Sequence, residues 1–187
     1  MTSRPLDDLD SMITSPPAPT EAPDYYFRYI SKVPAGTDIR RLLEAQLDEM
    51  LDLLAGVSEE QSRYRYAPGK WSIREVMGHV NDCERLFVFR AMWFARGFAS
   101  PLPGFDQDAA MGPARFDEVP LRDHAAEFRA LRQSTVRFFN ALPDDAWMKR
   151  GTASDASFTV RALAYITAGH VEHHAGIVRE RYLGVRG

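Results

Sequence analysis

Four segments of this chain carry apolar residues at three- and four-residue steps, and no segment shows convincing strand alternation. That pattern restricts the fold most, because a helix with one apolar stripe has to bury it against another element. In the first segment Thr37 is the expected N-cap of a helix reaching about Ala55. Ile39, Leu42, Leu43, Gln46, Leu47, Met50 and Leu54 share its face, and Gly56 is its stop. The second is signposted by Trp71-Ser72-Ile73-Arg74-Glu75-Val76, which reads as a capping box between Ser72 and Glu75 with a Trp71–Val76 staple. Its stripe runs Ile73, Val76, Met77, Val80, Cys83, Phe87, Ala91 and Phe94, and Gly97 ends it.

The third segment spans Leu121 to Leu142, with Ala125, Phe128, Leu131, Thr135, Phe138 and Leu142 inward and Pro143 blocking continuation. The fourth opens at Thr159 and reaches about Leu183; Leu163, Ile166, Thr167, His170, His174, Ile177 and Val178 form its stripe. Four such helices bury their stripes only against one another, so an all-α four-helix bundle is expected. The long connection from Gly97 to Pro120 can cross the bundle, making the second and third helices parallel and the fourth antiparallel to the second. It either lids a substrate site or merely covers an open end. Residues 1–24, rich in proline, are expected to be a flexible extension, leaving residues 25–187 as one domain.

Two histidines interrupt the fourth stripe. His170 and His174 stand at i and i+4, one turn apart on one face, the spacing by which a helix offers two imidazoles to one ion. An antiparallel second helix brings His79 to a similar depth. Three buried imidazoles each need a partner for a polar nitrogen, and one shared divalent cation satisfies all three; separate hydrogen bonds within the core are the competing reading. Carboxylate di-metal chemistry fails on ligands, because the chain has no Glu-x-x-His, and the protease pattern His-Glu-x-x-His is absent too.

Three protein ligands leave a position for water, as catalytic sites do. Asp82 and His173 are the candidate proton acceptors, with Asp82 alternatively orienting an imidazole or lying solvated. Glu84, Glu172 and His124 read as surface residues, Cys83 as an inert buried thiol, and the run Phe87, Phe89, Trp93, Phe94 as core or subunit interface. Zinc or nickel suits three imidazoles, with iron, copper or manganese as the other candidates. A net charge of −3 argues against nucleic acid. No apolar run approaches a membrane span or a secretory signal, and Cys83 is the only cysteine, so a cytoplasmic protein acting on a small molecule is expected.

Several motifs resemble one family. Pro68-Gly-Lys-Trp-Ser-Ile-Arg-Glu-Val-Met-Gly-His79 with Asp82 to Arg85, Leu102-Pro-Gly-Phe-Asp-Gln-Asp108, Thr159-Val-Arg-Ala-Leu-Ala-Tyr-Ile and Gly169-His-Val-Glu-His-His174 are similar to stretches of the DinB/YfiT-like superfamily. Tyr25-Tyr-Phe-Arg-Tyr-Ile-Ser-Lys-Val-Pro is similar too, so the likeness covers about residue 25 to the end. The resemblance implies a bundle in up-down-down-up order, a metal held by His79, His170 and His174, and frequent homodimers. It implies either a metal-dependent hydrolase or a transferase using a low-molecular-weight thiol. The alternative is a non-catalytic metal-binding module of stress response or sensing, since one fold carries several functions.

Overall fold

The computed structural model describes residues 12–184. Its helices are α1 (Phe27–Ile30), α2 (Ile39–Ala55), α3 (Ile73–Ala95), α4 (Gln107–Ala114), α5 (Leu121–Asn140) and α6 (Val160–Ile177). The four long ones, α2, α3, α5 and α6, pack into a helical bundle. Among the described residues no helix is long and apolar enough to cross a membrane.

The starts of the helices follow local chemistry. Asp38, one residue after the expected Thr37, caps α2 by accepting from the Arg40 amide at 2.9 Å. The Ser72–Glu75 capping box opens α3, with reciprocal bonds of 3.1 and 2.8 Å. Thr159 caps α6 through the Ala162 amide at 3.0 Å. No side chain of its own caps α5; the Glu59 carboxylate, from a distant loop, accepts from the Leu121 and Arg122 amides instead.

Two expectations are corrected. The chain is not all-α: β1 (Arg150–Ala153) and β2 (Ala156–Thr159) form an antiparallel hairpin. Its turn puts Ser154 and Asp155 at positive φ, 51° and 59°, matching the twist of tight hairpins. Four-residue strands are too short to show a period of two. The hairpin also holds the start of the long connection, because Leu102 exchanges backbone bonds with Thr152 and Ser154.

Of residues 1–24, expected to be a flexible extension, residues 1–11 lie outside the described residues. Met12, Ile13 and Ala22 are buried, and buried Glu21 binds Thr159 at 2.9 Å and Arg161 at 3.0 Å over the start of α6. Burial alone would raise the Glu21 pKa, but hydrogen bonds from Arg161, Ala18 and Thr159 outweigh it and hold the carboxylate charged. Covered by this segment, by α1 and by the hairpin, α6 is buried on every side from Val160 to Val171 and is not amphipathic there.

The third stripe is also rotated. His124, Arg132 and Phe139 are buried, while Leu131 and Phe138 are only half-buried. Polar side chains take inward positions because they are paired: Arg132 with Glu84 of α3, and His124 with the Phe116 carbonyl. Glu84 and His124 are therefore core residues, not surface ones.

Two glycines let outside segments approach the helices closely. A Cβ on Gly169 would lie 2.0 Å from the Tyr29 carbonyl oxygen, and one on Gly78 would lie 2.3 Å from the Phe116 ring. Gly→Ala inside a helix ordinarily gains about 1 kcal/mol. At Gly169 the clash is with backbone, an overpacking that costs about 1–3 kcal/mol or more, so Gly169→Ala is expected to be destabilising on balance and to displace Tyr29. Urea unfolding and Tyr29 ring shifts by NMR check this; a stabilised variant would refute the close packing.

Candidate metal centre

Each of those glycines precedes a buried histidine. His79 follows Gly78 in the second turn of α3; His170 follows Gly169 in α6, with His174 one turn on. All three are buried, and one donor atom from each lies within 4.8 Å of the others. The Nε2 atoms of His79 and His170 stand 3.0 Å apart. Two nitrogens bound tetrahedrally to one zinc at ~2.0–2.1 Å would be about 3.3 Å apart, so the spacing suits a shared ion. The ring centroids are 4.5–5.0 Å from each other.

The nitrogens have few other partners. Among the described residues His174 Nδ1 is buried without a hydrogen-bond partner, and the Cys83 sulfur lies 3.7 Å from His79. Burial is the main reason the His79 pKa falls to about 4, with the charge on His173 adding to it. His170 and His174 are pushed well below the ordinary value, again by burial first and then by neighbouring histidines. Three neutral imidazoles with ring nitrogens converging in a buried cluster form a donor set for a divalent ion, and the residues present fit one. Around them, Tyr29 and Phe87 meet His170 edge-on at 5.2 and 5.5 Å, and Trp71 stands 5.0 Å from His79.

The shifts carry a pH dependence. Below about 6.5 the unfolded chain takes up protons on these imidazoles while the folded chain resists them, so acid favours unfolding. Metal-free protein should lose stability from about pH 6.5 down towards pH 4, with His79 alone contributing on the order of 3 kcal/mol at the acid end. Denaturant titrations at pH 7.5, 6.0 and 5.0 test this; a flat profile would contradict neutral buried imidazoles.

The two candidate proton acceptors lie differently. His173 is half-buried, against Tyr29 at 5.4 Å and His174 at 5.0 Å. Asp82 is half-buried and ion-paired with Arg85 at 3.5 Å; Glu127 and His124, both on α5, also act on its carboxyl, so it faces away from the cluster.

Two cavities reach the histidines. One of about 560 Å³ is lined by His170, Cys83, Tyr29, Phe87 and Arg90, and another of about 280 Å³ by His174, Trp71, Lys70 and Tyr182. The long connection walls both, through Phe105 and Asp106 in the first and Asp108 in the second. Arg90 and the two-sided access were missed from sequence; the available signal was an arginine on the same helical face as His79, Cys83 and Phe87.

The sequence profile described as the DinB superfamily matches residues 42–178. Among solved structures, YfiT from Bacillus subtilis, described as "a probable metal-dependent hydrolase with an unusual four-helix bundle topology", superposes with a TM-score of 0.69. The match covers 94% of this chain and 99% of that one at 13% identity, a likeness of fold. No curated protein matches the sequence.

Proposed function

This chain belongs to the DinB superfamily, and from that premise we propose a metal-dependent enzyme whose divalent ion is held by His79, His170 and His174. One observation carries the proposal: three buried imidazoles from two helices converge, and a separate cavity reaches the cluster at His170 and at His174. The ion, when bound, supplies Lewis-acid polarisation of an electrophile and makes the proton of a water or thiol easier to remove. Tyr29 and Phe87 fix the plane of His170, and Trp71 shields His79 from water. We assign proton acceptance to His173, half-buried with its ring against Tyr29 and His174; Asp82, turned to Arg85, is the weaker candidate. The reading includes a bundle in up-down-down-up order. It is supported by contacts that advance together along α3 and α5, Asn81 with His124 and Glu84 with Arg132.

Hydrolysis of a small electrophilic substrate is the first form. A thiol-dependent transferase is the second, favoured by two separate cavities reaching one cluster, one for each reactant. Cavities beside the donors also weigh against a non-catalytic sensor. Zinc or nickel is the expected ion, and a cytoplasmic homodimer completes the reading. Metal-loaded protein should turn over esters or activated electrophiles, without thiol in the first form and only with added thiol in the second. No turnover in either condition, with the ion demonstrably bound, would sink both.

A further inference from the structure

We infer that Arg90 anchors a carboxylate of the substrate, in the larger cavity beside the histidines. The inference deepens the reading above by naming the substrate class and takes from it the use of this cavity. The binding itself needs no ion.

Four arginines are buried within the bundle, and three have a carboxylate partner: Arg74 with Glu59, Arg132 with Glu84, and Arg161 with Glu21. Arg90 is 1% exposed, yet among the described residues no carboxylate pairs with it. Its Nη2 donates to the Pro103 carbonyl and the Ser154 hydroxyl, each at 3.0 Å, the Tyr26 hydroxyl is a further neutral partner, and among the described residues its buried Nε has no acceptor. A buried guanidinium without a counter-ion is costly, and its persistence points to an anion supplied from outside. A solvent-exposed Asp106 stands at the same cavity, but its Oδ1 caps α4 through the Asp108 and Ala109 amides, and its carboxylate makes no ion pair with Arg90.

The cavity has a shape to match. Its walls include Tyr25, Tyr26, Phe87 and Phe105, its volume is about 560 Å³, and His170 lines it together with Arg90. Phe87 touches the His170 ring at 5.5 Å, and Arg90 follows three residues later, about 4.5 Å along the helix. A ligand with an apolar body fits along that wall, its carboxylate at Arg90 and its other end against His170. With apolar walls limiting hydration, a charge-assisted hydrogen bond there discriminates strongly between acid and neutral amide. One arginine suits a monoanionic carboxylate better than a phosphate dianion, which would call for a second cation.

The test compares 4-phenylbutyrate with 4-phenylbutyramide by titration calorimetry and NMR on the metal-free full chain, where no ion competes as a carboxylate ligand. The acid is expected to bind at least about tenfold tighter than the amide, to shift the Arg90 Nε–H resonance, and to lose its advantage in Arg90→Met. Equal affinities, an advantage intact in Arg90→Met, or no binding of either up to about 10 mM would overturn the assignment. If Arg90→Met does not fold, the acid–amide comparison and the Arg90 resonance in wild type decide alone. Failure of metal-loaded protein to turn over substrate would leave this difference untouched, so the two readings fail separately.

Discussion

Replacing His170 by alanine is expected to weaken metal binding by at least about a hundredfold, more than the 10–100-fold typical for loss of a residue behind a ligand. His170 is the middle of the set: its Nε2 is 3.0 Å from that of His79, and its ring is 4.5 Å from that of His174. Without it only one imidazole of the set remains on each helix, and an ion held by two is lost to a modest chelator. The fold should survive, because the imidazole makes no protein hydrogen bond except to another member of the set and burying it uncharged carries its own cost. Competition titration against a chelator, with far-ultraviolet circular dichroism as control, reads this out. Unchanged affinity in a folded variant would remove His170 from the site.

The largest stability effect is expected at Glu84. Its carboxylate takes two bonds of 2.8 Å from Arg132, and both side chains are essentially inaccessible to water. The remaining Arg132 donor group reaches Gln46 Oε1 at 3.0 Å and the Leu43 carbonyl at 3.2 Å, while the Gln46 amide donates to the Ala168 carbonyl at 3.0 Å. One network therefore joins α2, α3, α5 and α6 and ends two residues before His170. Removing the carboxylate leaves an unpaired buried guanidinium, and such breakage costs about 3–5 kcal/mol. Glu84→Ala should lose that much in urea unfolding, while Glu84→Leu with Arg132→Met should recover most of it, since a well-packed apolar pair can replace a buried ion pair. A loss under about 1 kcal/mol in Glu84→Ala would mean that water reaches Arg132.

Much of this architecture was legible because local signals agreed. The Ser72–Glu75 box, the Thr159 cap and the stripe Ile39–Leu43–Gln46–Met50–Leu54 each announce an element and its inward face. His79, His170 and His174 were legible as a group because spacing and helix direction alone bring them to one depth. Pairing between distant residues was not legible. Arg132 and His124 look like surface residues until Glu84 and the Phe116 carbonyl are seen beside them, and Glu21 looks like part of a loose tail until Arg161 closes on it. The hairpin escaped because its strands are short and its turn residues, Ser154 and Asp155, are not the Asn-Gly type that marks such turns. The cavities escaped for a related reason, since their walls come from α1, α3, α6 and the connection at once.

X-ray absorption on the metal-loaded full chain tests most directly whether the three histidines hold one ion. Loaded with zinc, it should show three imidazole nitrogens at ~2.0–2.1 Å plus a light fourth donor, with the imidazole count falling in His79→Ala. A first shell of surface carboxylates, or one unchanged by that substitution, would contradict it.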